Sequence, residues 1–421
     1  MDALEYLKTA ALRGSKLGLE RISELMERLG SPQEKLPIIH ISGTNGKGSF
    51  GAMLSSVLRC AGYKTGGFSS PALTGVTDSF RINCREITED RLRSLMAEII
   101  PHAEAMSDKP TEFEVLTAAA YLLFAQEGCD IALAECGMGG DTDSTNVISS
   151  PLLSVITNVQ LDHAGFLGKT VPEIAAHKAG IIKPGRPVLF GGDDPEALDI
   201  VRKKAEAEGS PLTLTDISRL TVSSYSPQGT RFSFRGMGSF TLPLLGTYQP
   251  VNAANVLTAV EMLRSEGLSV PDEAVQQGLA QAMWHGRFEV LCREPLVIFD
   301  GSHNPAGIRC AADSIRLYFG EKPVALLIGV MADKDYGLYG EMLHGLVKHA
   351  FTVKPDNPRA LDSRSLADSL SAKGIPAEAF TQLETGVREA VSYARKENIP
   401  LIALGSLYMY REFTRALDSI S

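Results

Sequence analysis

The chain has 421 residues, of which 44% are hydrophobic and 22% are charged, and its formal net charge is -9. These values are typical of a globular protein with a sizeable core, and the length is sufficient for two domains. The acidic balance argues against a nucleic-acid partner. Six scattered cysteines without CxxC spacing argue against a zinc cage or a redox pair. No apolar run is long enough to span a bilayer, so we expect a cytoplasmic protein without a membrane partner.

The first predicted elements form a strand, a glycine-rich loop and a helix. Apolar spacing predicts a helix over 19–29, and residues 36–41 have the composition of a buried strand. A glycine-rich turn over 43–48 follows, and a helix then extends to about Gly62. This order is typical of the beginning of a nucleotide-binding α/β domain.

The next elements continue the alternation of strands and helices. Short apolar runs predict strands at 131–135, 152–157 and 187–190, and helical patterns lie at 112–126 and 170–182. Such alternation indicates a mostly parallel sheet covered on both faces. Residues 220–245 instead alternate between apolar and polar side chains, which predicts a small antiparallel side sheet, and a helix is predicted over 251–264.

A second α/β region is predicted after about residue 294. Its predicted strands are 296–299, 324–328, 350–353 and 401–404, and its predicted helices are 338–347, 364–371 and 385–395. We therefore expect an α/β fold with a P-loop-type, mostly parallel sheet domain that carries the side sheet, and a second C-terminal α/β domain. The predicted domains are 1–293, which binds ATP, and 294–421.

Among the local motifs, the glycine-rich turn is the strongest indication of a binding site. Glycines let backbone N–H groups turn around phosphate oxygens, and the start of the helix adds a positive end. Lys47 would reach the β- and γ-phosphates of ATP, and Ser49 would offer a hydroxyl to Mg²⁺. Two residues rather than four separate the outer glycines, and the alternative is a tight βα turn. The predicted ATP-binding residues are Gly43, Thr44, Asn45, Gly46, Lys47, Gly48 and Ser49.

Other polar residues follow predicted strands or lie at an apolar helix end. Glu135 ends a strand, where a carboxylate can hold nucleotide-bound Mg²⁺ or can be a capping group at the surface. Asp162 and His163 follow the strand at 152–157. Lys178 lies near the apolar end of its helix, where desolvation would ease deprotonation, although a lone helical lysine is usually solvated.

The second predicted domain has a comparable cluster after its first strand. Asp300 and His303 lie between the strand at 296–299 and the next helical pattern. Polar side chains at this kind of position often serve a site, because ligands bind outside the carboxyl ends of strands. Asn304 precedes Pro305, and that pair alone can be explained as a helix cap.

The order of these motifs resembles the folylpolyglutamate synthase and dihydrofolate synthase family, which is related to the Mur peptide ligases. The matching segments extend from Leu17 to Tyr408, nearly the full chain. They include HISGTNGKGS, FSSP, TEFEVLTA, AECGMGG, LDHAGFLGKT, HKAGIIKPG, WHGRFE, DGSHNP and GSLY. The resemblance implies an ATP-dependent ligase that adds L-glutamate to the γ-carboxylate of reduced folates through an acyl phosphate. It leaves open whether dihydropteroate is also converted to dihydrofolate.

The resemblance also implies residue roles. The implied Mg²⁺ ligands are Ser49, Glu135, His163 and Lys178, the last as a carbamate. ATP would be held at the junction of the domains by Asn252, Arg287 and Asp300. The implied catalytic residues are Lys47, Lys178, Asp300 and His303. Ser70 and Pro71 would border the folate. The implied partners are folate, L-glutamate and ATP, and we expect a monomer.

The chain departs from the family pattern at several positions. Ala72 and Tyr248 stand where the family usually has histidine, and Asp141 stands where it has arginine. Residues 78–80 read Asp-Ser-Phe in place of an acidic residue, arginine and isoleucine. Two alternatives stay open beside the resemblance. One is a Mur-type amide ligase for a non-folate acid, and the other is a nucleotide-binding regulatory or transport protein.

Overall fold

The computed structural model describes residues 2–162 and 164–420. The chain folds into two compact units. The first comprises 1–220, 234–240 and 251–282, and the second comprises 221–233, 241–250 and 283–421. Within the described ranges, no helix combines the length and the apolar character needed to cross a membrane.

The first sheet has eight strands among the described residues, in the order β4-β3-β2-β5-β1-β6-β7-β8. Its strands are β1 (Ile38–Ser42), β2 (Thr65–Phe68), β3 (Phe80–Ile82), β4 (Arg85–Glu86), β5 (Ile131–Glu135), β6 (Leu153–Ile156), β7 (Val188–Phe190) and β8 (Leu212–Leu214). Strand β3 pairs antiparallel with both β2 and β4, and the other neighbouring strands pair parallel. All five residues of β1 are buried, as expected for a central parallel strand covered on both faces.

The helices up to residue 280 surround this sheet or follow the side sheet. They are α1 (Ala3–Ala11), α2 (Glu20–Arg28), α3 (Lys47–Cys60), α4 (Glu89–Ala105), α5 (Glu112–Gln126), α6 (Ala164–Leu167), α7 (Val171–Ala179), α8 (Pro195–Ala207), α9 (Gln249–Ser265) and α10 (Asp272–Ala280). Helix α5 begins with a capping box between Thr111 and Glu114 and buries most of its length in the core. Helix α5 packs against α1, α2, α4 and strand β2.

The side sheet comprises β9 (Leu220–Ser226), β10 (Gly229–Phe234) and β11 (Ser239–Leu242), with β10 in the middle. The described strands from Glu289 onward form a six-stranded sheet in the order β12-β13-β17-β14-β15-β16. They are β12 (Glu289–Arg293), β13 (Leu296–Phe299), β14 (Val324–Ile328), β15 (Val347–Thr352), β16 (Ala377–Ala379) and β17 (Leu401–Leu404). Only β12 pairs antiparallel among these strands. The predicted fold class is therefore confirmed.

The helices of the second unit are α11 (Pro305–Phe319), α12 (Tyr339–Leu343), α13 (Ser363–Ser371), α14 (Leu383–Glu397) and α15 (Tyr410–Asp418). The helix predicted over 338–347 is shorter than expected, because α12 ends at Leu343 and β15 begins at Val347. Gly345 has a φ of 77°, a left-handed conformation that ends the helical path before the strand.

Candidate active site

The phosphate loop follows β1 and leads into α3. Its glycines are required by close approach and by backbone conformation. Gly43 has a φ of 149°, and a Cβ there would collide with the side chain of Thr157. Gly46 has a left-handed φ of 85°, and a Cβ there would lie 2.5 Å from Oδ1 of Asn252. The loop is therefore built of glycine because it is packed between two neighbouring segments.

Residues 157–160 hold this loop in place. The Thr44 N–H donates to the Asn158 carbonyl at 3.0 Å, and the Asn45 N–H donates to Asn158 Oδ1 at 2.9 Å. The Thr157 hydroxyl donates to the Asn45 carbonyl at 2.7 Å. These bonds join the end of β6 to the end of β1, so the loop is preorganised by the sheet.

Lys47 and Ser49 occupy the first turn of α3, where backbone N–H groups point out of the helix. The Lys47 ammonium donates to the Gly43 carbonyl at 2.9 Å. Its Nζ also lies 3.9 Å from Oε1 of Glu135, the last residue of β5. Ser49 and Glu135 are both buried. The structure thus brings Lys47 and Glu135 together.

A small cleft lies beside the loop in the first unit. Its lining includes Gly43, Thr44, Lys47, Gly139, Asp162 and Lys178. A cleft lined by loop glycines, two lysines and a carboxylate suits a phosphorylated ligand.

Lys178 is a buried cation in this cleft, with its side chain 3% exposed. Burial, followed by the positive charge of Lys47, lowers its pKa from 10.5 to about 7. A large fraction of this amine is therefore neutral near pH 7, in agreement with the desolvation predicted from its apolar helix end. Gly140 allows the approach of α7, because a Cβ there would lie 2.9 Å from the Lys178 carbonyl. The predicted site residue His163 lies outside the described residues.

A buried polar network beneath the loop was not predicted from the sequence. His40 Nε2 lies 2.8 Å from the Thr145 hydroxyl, which donates to Oδ1 of Asp143 at 2.6 Å. Asp143 Oδ2 accepts from the Met138 N–H at 2.8 Å. Burial lowers the pKa of His40 to about 3, so its ring is neutral. The network fixes the segment 137–140 that borders the cleft.

The segment that contains Ser70 and Pro71 follows the C-terminal end of β2. It turns back into β3, and Asp78 fixes the turn by accepting from the N–H groups of Leu73 and Thr74 at 2.9 and 2.7 Å. Asp78 itself is buried. Asp78 lies in the segment 78–80 that differs from the family pattern, and its carboxylate stabilises its own turn.

The second unit contains the other predicted site residues. Asp300 is fully buried, and its carboxylate accepts from the Tyr248 hydroxyl at 2.7 Å, the Phe288 N–H at 2.9 Å and the Ser302 N–H at 2.7 Å. Burial, followed by the charge of Asp300, raises the pKa of Tyr248 well above its usual value, so the hydroxyl stays protonated. Asp300 therefore ties together three segments of the second unit.

Arg287 and His303 lie on the segments that Asp300 ties together. His303 Nδ1 donates to the Gly301 carbonyl at 2.8 Å, and Tyr339 donates to the His303 carbonyl at 2.6 Å. Arg287 Nη1 donates to the Gly286 carbonyl at 3.1 Å. The structure thus groups Arg287, Asp300 and His303 within the second unit, while Asn252 packs beside the phosphate loop in the first.

Two family models match the chain in sequence. The Mur ligase middle domain matches residues 41–263, and the Mur ligase glutamate ligase domain matches residues 286–406. A curated relative from Bacillus subtilis, a dihydrofolate synthase/folylpolyglutamate synthase, is 34% identical over 427 residues, which cover 99% of this chain and 98% of the relative.

Solved structures resemble the whole chain. A Mycobacterium tuberculosis folylpolyglutamate synthase complexed with ADP and AMPPCP has a TM-score of 0.89 at 28% identity, covering 100% of this chain and 99% of that one. An Escherichia coli protein in complex with DHPP and ADP has a TM-score of 0.86 at 29% identity, covering 100% of this chain and 98% of that one.

Proposed function

The chain belongs to the folylpolyglutamate synthase and dihydrofolate synthase family of the Mur ligases, and we propose that it joins L-glutamate to the γ-carboxylate of reduced folates with ATP. The observation that carries the proposal is the cleft that gathers the glycine loop, Lys47 and Lys178 beside Glu135. Complexes of the similar solved structures with ADP, AMPPCP and DHPP support a nucleotide site.

The first chemical step is phosphoryl transfer to an acid. The folate carboxylate attacks the γ-phosphate of ATP in line, and ADP leaves to give an acyl phosphate. Lys47, held by carbonyls of the loop, would neutralise charge on the transferred phosphoryl oxygens. Backbone N–H groups at the start of α3 would add donors to the same oxygens.

The residues beside the loop fit a Mg²⁺ ion. Ser49 and Glu135 are oxygen donors at the ends of adjacent elements, and Mg²⁺ usually needs only one or two protein oxygens beside phosphates and water. The ion, when bound, would polarise the phosphoryl oxygens. His163 is a further proposed ligand.

Lys178 is proposed to carry a carbamate. Its neutral amine attacks CO₂, a C–N bond forms, and one proton leaves, which turns a buried neutral amine into an anion. The lowered pKa of Lys178 supports this, because only the neutral amine is nucleophilic. The carbamate would supply oxygen ligands for a second Mg²⁺. Its absence from CO₂-depleted enzyme should lower activity, and bicarbonate should restore it.

The second step forms the amide bond. The amino group of L-glutamate attacks the acyl carbon, and inorganic phosphate leaves. Asn252, Arg287 and Asp300 are the proposed ATP-binding residues outside the loop, and His303 is the proposed catalytic residue of the second unit. Ser70 and Pro71 are the proposed folate contacts. We also propose 1–293 as the ATP-binding domain, 294–421 as the C-terminal domain, and a cytoplasmic monomer.

The test is ADP release by the purified chain with Mg²⁺, ATP and L-glutamate. Tetrahydrofolate, methylene-tetrahydrofolate, dihydrofolate and dihydropteroate are offered in parallel, with omission of glutamate as the control. We expect release that requires both acid and amine, with a higher kcat/KM for tetrahydrofolate than for dihydropteroate. Turnover of no folate would contradict the proposal and favour a Mur-type ligase for another acid.

A further inference from the structure

The loop over residues 137–146 lies close against the C-terminal end of α7. The Asp141 N–H donates to the His177 carbonyl at 2.9 Å. A Cβ at Gly140 would lie 2.7 Å from the same carbonyl, and a Cβ at Gly180 would overlap the backbone and the Cβ of Asp141. These glycines therefore allow the loop and the end of α7 to approach with backbone against backbone.

Side chains continue this contact. His177 Nδ1 lies 2.9 and 3.0 Å from the two carboxylate oxygens of Asp141, and it is the donor because a carboxylate oxygen accepts. The Thr142 N–H donates to Asp141 Oδ1 at 2.8 Å, which fixes the carboxylate. The buried Asn146 donates through Nδ2 to the Asp141 carbonyl at 3.0 Å and to the Gly180 carbonyl at 3.2 Å. Loop and helix are thus joined around Asp141 by backbone and side-chain bonds.

Lys178 follows His177 directly, so the pair acts on the turn of α7 that carries the buried lysine. The Lys178 side chain lines the cleft together with residues 137–139 of the same loop. A Cβ at Gly139 would lie 3.7 Å from His177 Cβ and 4.0 Å from Asp141 Oδ1, so the pair lies next to a residue of the cleft wall. Displacement of the loop from α7 would therefore change the position of Lys178 against this wall.

The exposure of the pair indicates what it contributes. The side chains of His177 and Asp141 are 36% and 38% exposed. A pair this exposed adds little to the free energy of unfolding, because water screens the charges and the side chains lose freedom. The effect of position on catalysis is larger, since misplacement of a group by about 1 Å can lower a rate by about 10²-fold. The pair is therefore better suited to fixing the position of Lys178 than to stabilising the fold.

We propose that Asp141 and His177 are positioning residues that hold Lys178 in place at the cleft. The role of Lys178 itself rests on the proposed function. The family pattern has arginine at position 141, and an arginine side chain has no acceptor for the His177 Nδ1–H. The pair therefore explains how this chain accommodates aspartate at position 141.

A double-mutant cycle measures whether the two residues act as one unit. Asp141→Ala and His177→Ala should each lower kcat of folate-dependent ADP release by about tenfold, with KM for ATP changing by less than about twofold, because the phosphate loop is intact. The double variant should lose no more than either single variant, since each substitution already breaks the pair. Asp141→Asn keeps an acceptor and His177→Gln keeps a donor, so each should retain more of kcat than its alanine counterpart.

Hydrogen exchange of the unligated chain tests the same contact without turnover. Backbone amides of residues 178–182 should exchange about threefold or more faster in Asp141→Ala than in wild type, because the end of α7 is released. The matched control is Asp199→Ala, which removes an exposed ion pair with Lys203 on α8 and should leave both kcat and this exchange unchanged. Melting temperatures of all variants should stay close to that of wild type. Where an alanine variant unfolds, Asp141→Asn and His177→Gln decide the comparison.

Three results would overturn the inference. Additive losses of kcat in the double variant would mean that the two residues act independently. A kcat of Asp141→Ala equal to that of wild type would mean that the pair does not position Lys178. Unchanged exchange at 178–182 would mean that it does not hold the end of α7. A wild-type chain that uses no folate would overturn the proposed function instead, and the exchange comparison would still decide whether the pair holds α7.

Discussion

The two buried charges at Lys178 and Asp300 are treated in opposite ways by their surroundings. The charged form of Lys178, in the first unit, is disfavoured by burial and by the charge of Lys47, so its pKa falls to about 7. Asp300, in the second unit, is also buried but accepts hydrogen bonds from Tyr248, Phe288 and Ser302. A charge that its surroundings disfavour is available for chemistry or binding, whereas a satisfied charge fixes the chain. The comparison separates reactive from positioning residues.

The largest expected effect is the loss of turnover in Lys47→Ala. Removal of the Lys47 charge should relieve repulsion on Lys178 but also removes the bond from Lys47 to the Gly43 carbonyl, so the melting temperature without nucleotide should stay close to that of wild type. ADP release should fall by about 10²–10³-fold or more, as expected for loss of a charge-stabilising donor. The control is Lys35→Ala, because Lys35 is exposed. Activity equal to wild type would contradict the phosphate-loop assignment.

The pH dependence of stability tests the disfavoured state of Lys178 directly. Its folded pKa is about 7 and its ordinary value is 10.5, so the unfolded chain binds more protons between these values. Stability of the unmodified chain should therefore rise with pH across this window, by at most a few kcal/mol, at about 1.4 kcal/mol per unit.

Lys178→Met should lack this rise. In CO₂-free buffer the variant should be more stable than wild type at pH 7, and the difference should shrink toward pH 10. Denaturant unfolding at several pH values gives the measurement, with Lys35→Met as the exposed control. A difference that does not depend on pH would mean that Lys178 is not disfavoured. Activity of Lys178→Ala, with partial rescue by short carboxylic acids, then tests the carbamate separately.

The sequence was sufficient for the central strands and the phosphate loop, because their signals are local. Strand β1 and helix α3 flank a glycine turn with a specific order of residues. Strand β2 was not predicted, since it reads Thr-Gly-Gly-Phe and glycine is a weak strand signal. Glycine is required at position 66 by packing, because a Cβ at Gly66 would overlap the ring of Phe124. Such a contact joins residues far apart in the chain.

The same limit applies to the site. Desolvation of Lys178 was predicted from its apolar helix end, and the structure agrees. The contact between His40 and Thr145 spans 105 residues, and no local pattern announces it. The assignments of Asn252 and Arg287 came from the family resemblance alone, and they stay predictions.

Asp300→Asn tests the other buried group of the comparison, the carboxylate that accepts several hydrogen bonds. The substitution keeps the shape but replaces one acceptor oxygen with a donor group, which would face the Phe288 or Ser302 N–H or the Tyr248 hydroxyl. We expect a loss of roughly 2–4 kcal/mol in the free energy of unfolding, opposite in sign to Lys178→Met at pH 7. Chemical denaturation measures it. A stability loss below about 0.5 kcal/mol would contradict a positioning role for this carboxylate.

The smallest expected effect is that of Tyr248→Phe, which tests how much one hydrogen bond contributes to holding the Asp300 carboxylate. It removes one of the donors to Asp300 and leaves both backbone donors, so stability should fall by about 1.5 kcal/mol. If Asp300 positions Arg287 through Phe288, KM for ATP should rise modestly while kcat changes little. Tyr248→His, which can still donate, should recover part of the loss. Tyr225→Phe, which removes a hydroxyl elsewhere in the second unit, is the control. If Tyr248→Phe and Tyr225→Phe have equal effects, the Tyr248 bond adds nothing, and Asp300 is held by its backbone donors alone.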